Sequence, residues 1–120
     1  MFIVGYYGGH FNDVWTNTNP YGAGWTLLTN AANFTRRSLH NVVVLNNMLV
    51  MCGGTGPSTL GDVLISTNAV IWTVLTSSLP AIAAGNSRAA VAWNNALVLM
   101  GGASPGGQPI NDVYVISITD

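Results

Sequence analysis

The segment most informative about the fold is Val42-Val-Val-Leu-Asn-Asn-Met-Leu-Val-Met-Cys-Gly-Gly54. Two apolar runs flank an Asn-Asn pair, and Asn tolerates the positive φ that a tight two-residue hairpin turn demands. A Gly-Gly pair ends the second run, because glycine accepts φ values that other residues avoid. The stretch therefore predicts two antiparallel strands, 42–45 and 48–52, joined by a turn at Asn46-Asn47.

The same pattern recurs along the chain, and its second copy is Val91-Ala-Trp-Asn-Asn-Ala-Leu-Val-Leu-Met-Gly-Gly102. Gly pairs recur at intervals of 45 and 48 residues, Asp-Val steps at 49 and 50, and a Trp-Thr step at 47. The recurring landmarks are Gly8-Gly9, Gly53-Gly54 and Gly101-Gly102; Asp13, Asp62 and Asp112; and Trp25 and Trp72. Landmarks that recur in one order at such a period indicate a repeat fold.

Each repeat is interpreted as four short strands, A to D, so the chain is expected to be all-β. Residues 1–29 would hold strands B to D of a first unit, and 37–76 a complete unit. Residues 88–120 would hold strands A to C of a third. A Cβ added at Gly53 or Gly101 is expected both to force φ and to clash with the adjacent strand.

The middle unit carries Arg37-Ser-Leu-His40, the hairpin, Gly53-Gly54, Asp62-Val63 and Trp72. The third carries Asn111-Asp-Val-Tyr-Val. In these motifs the sequence resembles the kelch-repeat β-propeller family, which implies four-stranded blades of roughly 50 residues. The third unit departs from the pattern, because its Arg88 lies 13 residues before Gly101, whereas Arg37 lies 16 before Gly53.

The resemblance implies about two and a half blades. Propellers usually have 4 to 8 blades, and an incomplete one would expose strand edges. The chain is therefore expected to be a section of a longer propeller, with further blades from the same polypeptide or, alternatively, from identical subunits in a ring.

The charge content is very low, since 6% of residues are charged, against about 25% in typical domains. A net charge of −1 and the lack of a basic patch argue against a nucleic-acid partner. The sequence contains no run of 18 or more apolar residues, so no membrane-spanning segment is predicted. The single cysteine, Cys52, lies in an apolar run and is predicted to be a buried small hydrophobe.

The sequence contains none of the common catalytic or cofactor-binding patterns. It has no G-x-S-x-G, no phosphate-binding loop, no zinc-ligand spacing and no carboxylate pair, and it contains four Asp and no Glu. The chain is therefore expected to be neither an enzyme nor a cofactor-binding protein.

Most landmark residues are interpreted as structural. The three recurring aspartates are expected to cap turns by accepting backbone N–H bonds, with a metal ring as the alternative. Trp25 and Trp72 are interpreted as wedges between blades. In the kelch-like motif, Arg37 is expected to bond a neighbouring strand or loop, and His40 to make a structural hydrogen bond.

Two features point instead to ligands or modification. Trp93, Tyr6 and Tyr7 are of the residue type that stacks on sugar rings, although packing is the alternative for Trp93. Asn33-Phe-Thr is the one N-glycosylation sequon. Because it falls between two units, Asn33 is predicted to lie in an exposed loop and to be glycosylated if the protein is secreted by a eukaryote.

The leading functional hypothesis is a non-enzymatic interaction or structural module. Loops 55–61 and 103–110 differ in length and would be presented to a protein partner or a larger assembly by a rigid scaffold. With so few charges, a free monomer would have little electrostatic repulsion to prevent self-association. This favours self-assembly, or an extracellular or cell-surface location, and leaves a cytoplasmic location open. The alternative hypothesis is carbohydrate binding, or a part of a carbohydrate-active propeller enzyme.

Overall fold

The computed structural model describes residues 2–4, 10–19, 21, 23–76, 88–104 and 106–118, the first three as backbone only. Within these residues the chain forms ten β-strands in three antiparallel sheets and has no helix. The predicted all-β class is therefore confirmed. Among the same residues, none belongs to an apolar helix of membrane-spanning length.

The three sheets follow one another along the chain. The first sheet has the order β1-β2-β3, with β1 at Phe2–Val4, β2 at Val14–Thr16 and β3 at Thr26–Thr29. The middle sheet has the order β4-β5-β6-β7, with β4 at Asn41–Leu45, β5 at Met48–Cys52, β6 at Val63–Ser66 and β7 at Thr73–Thr76. The third sheet has the order β10-β9-β8, with β8 at Ala89–Trp93, β9 at Ala96–Met100 and β10 at Val113–Ser117.

The two hairpins form as the sequence predicts. Asn46 and Asn47 have φ values of 52° and 60°, and Asn94 and Asn95 have 56° and 60°. Positive φ at both central residues is the geometry of a type I′ turn, whose twist matches that of the strands it joins. The Asn-Asn pairs therefore set the register of β4 with β5 and of β8 with β9.

The glycine pairs have the positive φ that the sequence predicts, from 62° to 99° at positions 53, 54, 101 and 102. Gly8 and Gly9 lie outside the described residues. A Cβ at Gly54 would lie 2.6 Å from the carbonyl oxygen of Ser38 and 2.9 Å from Cβ of His40. At Gly101 the nearest such atom is the carbonyl oxygen of Ile110 at 3.8 Å. The clash predicted for Gly101 is therefore wrong, and only the φ requirement holds there.

The first and middle sheets share a further irregularity. The pairing register shifts between Val14 and Trp15 in β2 and between Val63 and Leu64 in β6. Each shift falls one residue after the Asp that precedes the strand, so both sheets carry a bulge at the same point of the repeat. Local geometry thus repeats along with the sequence.

The sheets pack face to face around two apolar clusters. The cluster between the first and middle sheets consists of Val14, Ala32, Phe34, Met51, Leu64, Ala69 and Trp72. The cluster between the middle and third sheets consists of Leu45, Met48, Val50, Cys52, Val63, Leu97, Leu99 and Ile118. The middle sheet therefore has a buried cluster on each face. Its central strands β5 and β6 are almost entirely buried, whereas β7 is largely exposed.

Candidate interaction surface

The loops after β5 and β9 have the same backbone hydrogen bonds at their bases, and we call these bonds the frame. The N–H of Gly53 donates to the Asp62 carbonyl at 3.3 Å, and that of Gly101 to the Asp112 carbonyl at 3.2 Å. One residue further on, Gly54 accepts from the Leu60 N–H at 2.9 Å. The equivalent bond of the third sheet joins the carbonyl of residue 102 to the N–H of residue 110, at 3.1 Å. These four bonds fix where each loop leaves and re-enters its sheet.

Between those fixed points the two loops differ. The first has five residues, 55–59, and the second has seven, 103–109. The first loop is attached to the segment before β4, because Thr55 and Ser38 exchange two backbone hydrogen bonds at 2.8 and 2.9 Å. The second closes on itself through the Ser104 N–H, which donates to the Gln108 carbonyl at 2.9 Å. The frame is therefore constant, whereas the length and conformation of the loop vary.

A buried ion pair ties the middle loop to its sheet. Arg37, whose side chain is fully buried, donates to both carboxylate oxygens of Asp62 at 2.7 and 2.9 Å. It also donates to the carbonyl oxygens of Gly53 at 3.1 Å and Thr35 at 3.1 Å. Its guanidinium lies 5.8 Å from the centre of the Phe34 ring. This bidentate geometry suits Arg and not Lys, since only Arg presents a planar fork of donors.

The third sheet repeats this ion pair. Arg88 donates to Asp112, and its guanidinium lies 5.6 Å from the centre of the Tyr114 ring. Both arginines precede the first strand of their sheet, and both aspartates immediately precede the third. Each ion pair therefore connects the segment before the first strand of its sheet to the start of the third strand, beside the base of the variable loop.

The recurring aspartates were predicted to accept from backbone N–H groups, but the recorded partners of Asp62 and Asp112 are arginines. In the sequence, the pairing is indicated only by the similar spacing from Arg to Asp in the two repeats, 25 residues (37 to 62) and 24 residues (88 to 112). The pairing itself was not predicted, because neither residue type indicates it on its own. Asp13, the aspartate of the first sheet, instead accepts from the indole Nε1 of Trp15 at 2.8 Å.

The tryptophans have different surroundings. Trp72 immediately precedes β7 and is buried between the first and middle sheets, where its Nε1 donates to the Ala69 carbonyl at 2.9 Å. Its ring meets Phe34 edge-on, with centroids 5.6 Å apart. Trp25 precedes β3 in the same way and is half-buried. Trp93 lies at the end of β8 and is 65% exposed.

Trp93 belongs to an exposed apolar face of the third sheet. Residues opposite one another in the ladder share a face, which groups Trp93 with Ala96 and Ser117. The large exposed side chains on this face are Val91, Trp93, Val113 and Val115. We call this set the outer face. The other face of the sheet packs on the middle sheet through Leu97 and Leu99.

The sequon residue Asn33 is exposed, as predicted, but its amide is engaged. Oδ1 accepts from the Trp72 N–H at 2.8 Å, and Nδ2 donates to the Trp72 carbonyl at 2.9 Å. The loop between the first and middle sheets is thereby attached to the start of β7. His40 is half-buried, with its Cβ against the backbone of Gly54.

The remaining predicted site residues are two tyrosines near the start of the chain and the single cysteine. Tyr6 and Tyr7 lie outside the described residues. Within the described residues, no three His, Cys, Asp or Glu side chains are grouped so that they could hold a metal ion. Cys52 is 2% exposed, which confirms its predicted burial, and this burial raises the pKa of its thiol to about 11.

No family model and no curated protein matches the sequence. The solved structure of YjhT is similar to this chain, with a TM-score of 0.68 at 19% sequence identity. The similarity covers 90% of this chain and 36% of YjhT, so the chain spans about a third of that protein's length. At this level of identity the likeness concerns the fold alone.

Proposed function

We propose that this chain is a section of a kelch-type β-propeller and acts as a non-enzymatic interaction module, presenting loops 55–61 and 103–110 to a protein partner. The observation that supports the proposal is the matching pair of hydrogen bonds at the base of each loop. Between these bonds the first loop has five residues, 55–59, and the second has seven, 103–109. A constant frame with variable loops is how rigid scaffolds support recognition.

The outer face supports the propeller part of the proposal. By the repeat, Trp93 and Val113 occupy the positions of Leu45 and Val63, which are buried against the third sheet. A further sheet packed on the outer face would bury it in the same way. The similarity to YjhT, of which the chain spans only 36%, agrees with a larger stack of sheets.

An extracellular or cell-surface location is part of the same proposal. With 6% charged residues and a net charge of −1, the surface gives little electrostatic protection against association. A place in a larger assembly, or a glycan at Asn33, would supply that protection.

The test is site-specific crosslinking in cells that produce the protein. A photoreactive amino acid is placed at Ser58 in the first loop, at Gln108 in the second, and at Val74 on β7 as an exposed control. We expect both loop positions, but not the control, to crosslink to one protein identified by mass spectrometry. Equal labelling at all three positions would reject the proposal.

Carbohydrate binding is the second candidate, favoured by the exposed indole of Trp93 beside the exposed amides of Asn94 and Asn95. An aromatic face flanked by amides suits a sugar ring, which offers both C–H and hydroxyl groups. Binding on a glycan array that Trp93→Ala abolishes and Val91→Ala retains would support this candidate. An array on which the folded protein binds nothing would reject it.

A further inference from the structure

Among the described residues, Leu39 is the only large apolar one with a positive φ, which is 57°. The other non-glycine residues with positive φ are Ala69, which is buried, and the four exposed asparagines of the two hairpin turns. In this left-handed region Cβ crowds the following carbonyl oxygen, and Asn tolerates the region better than Leu because its short side chain hydrogen-bonds locally. Leu39 therefore occupies the kind of exposed position for which this chain otherwise uses Asn.

The fold gains little from the side chain of Leu39. It is 55% exposed and belongs to neither apolar cluster. Backbone strain of this kind is concentrated at binding and active sites, where the strained residue has a role outside the folding of the chain. Gly or Asn would suit the same backbone better, so it is the leucine side chain itself that has to be explained.

The backbone on both sides of Leu39 is fixed. Ser38 exchanges two backbone hydrogen bonds with Thr55, at 2.8 and 2.9 Å. On the other side of Leu39, the Cβ of His40 lies against the backbone of Gly54. Leu39 is thereby held beside the start of the first variable loop with its side chain in solvent. A partner that binds this side chain does not have to order the backbone that carries it.

Arg36 lies beside the same loop and is the exposed cation of this surface. The chain has three arginines and no lysine, and Arg37 and Arg88 are buried in ion pairs. Arg36 is exposed and forms no ion pair with any described carboxylate. Its carbonyl oxygen lies so close to Gly56 that it would meet a Cβ added there. A single exposed cation matches one carboxylate rather than a polyanion such as a nucleic acid.

We infer that Leu39 and Arg36 anchor the partner of loop 55–61, and that this partner is a protein segment with an acidic side chain close to a large apolar one. The apolar side chain packs on Leu39, and the carboxylate pairs with the guanidinium of Arg36, whose planar fork of donors suits it. The inference rests on the proposed function, to which it adds the chemistry of the partner.

The experiment selects peptides from a phage-displayed library of random linear sequences on the immobilised 120-residue chain. We expect the enriched peptides to carry Asp or Glu within a few residues of a large apolar side chain. Titration of a labelled enriched peptide, followed by fluorescence anisotropy, then compares the native chain with three variants. Leu39→Asn should weaken binding at least tenfold and Arg36→Gln at least threefold. Ile71→Asn is the matched control and should leave binding unchanged, because Ile71 is 60% exposed and lies between β6 and β7, at the opposite end of the sheet.

Urea denaturation separates a role in binding from a role in folding. Asn suits a φ of 57° and the replaced side chain is largely exposed, so Leu39→Asn should leave the urea midpoint unchanged or raise it. A clearly lower midpoint would mean that the leucine serves the fold, and would overturn the inference. Enriched peptides that bind Leu39→Asn as tightly as the native chain would also overturn it, as would a library from which no peptide is enriched.

Crosslinking from Ser58 distinguishes failure of this inference from failure of the proposed function. A Ser58 crosslink that Leu39→Asn reduces at least tenfold and Ile71→Asn leaves intact supports the inference. A crosslink that Leu39→Asn leaves intact overturns the inference alone, and the proposed function stands. The lack of any Ser58 crosslink in the native chain rejects the proposed function and this inference with it.

Discussion

The middle and third sheets have nearly the same sequence pattern and very different surroundings. Val63 is fully buried, whereas Val113, at the equivalent position, is 62% exposed. Leu45 is buried, whereas Trp93 is 65% exposed. The first three strands pair in the same register in both sheets, but the middle sheet has in addition the strand β7 and a packed sheet on each face. Burial in this molecule is therefore set by the place of a sheet in the stack rather than by its local sequence.

The largest effect is expected at the ion pairs. Arg37→Met leaves the carboxylate of Asp62 without its donors in a buried site, and should lower the free energy of unfolding by about 3 to 5 kcal/mol. Arg88→Met should cost less, because the side chain of Asp112 is more exposed, at 26% against 16%. Urea denaturation of both variants checks the order. Losses below about 1 kcal/mol in both would mean that the pairs contribute little.

A somewhat smaller effect is expected at the glycines. Gly54→Ala meets both a φ of +99° and the carbonyl oxygen of Ser38 at 2.6 Å, so we expect a loss of about 3 kcal/mol. Gly101→Ala meets only the φ of +62°, and should cost about 1 to 2 kcal/mol. Thermal unfolding of the two variants distinguishes them. Equal losses would show that φ alone determines the cost.

The difference in burial between the middle and third sheets is tested most directly at Val63 and Val113, which occupy equivalent positions. Val63→Ala removes two methyl groups from a full core and should cost about 2 kcal/mol. Val113→Ala should cost less than about 0.5 kcal/mol, since the side chain is exposed. A loss at Val113 as large as that at Val63 would mean that the outer face is covered in solution. Sedimentation at several protein concentrations would then show whether another copy covers it.

The smallest effect is expected from the thiol. Burial raises the pKa of Cys52 from 9.0 to about 11, so the unfolded chain loses this proton at lower pH than the folded one. Stability should therefore fall as the pH rises from about 9 to about 11. Cys52→Ala should show a shallower decline in the urea midpoint over that interval. The substitution changes no other side chain, so the difference between the two curves isolates the thiol.

The sequence predicted those features that one short segment determines. The Asn-Asn turns, the positive φ of the glycine pairs and the burial of Cys52 follow from local chemistry. It did not predict that Asp62 pairs with Arg37, because a contact across 25 residues leaves no local pattern. It also did not predict that a face as apolar as that of Trp93 and Val113 would be exposed, since apolar residues on both faces of a strand normally indicate burial.

The side-chain amide of Asn33 can be either glycosylated or hydrogen-bonded to Trp72, so the order of glycosylation and folding matters. Because its two hydrogen bonds go to one residue, Trp72, the donated proton lies on the same side of the amide as Oδ1. A sugar on Nδ2 occupies that side when the amide is in its usual trans form. Glycosylation and the bond to the Trp72 carbonyl therefore exclude each other. An oligosaccharide would have to be attached before Asn33 docks on Trp72, and the glycosylated chain would fold without this bond.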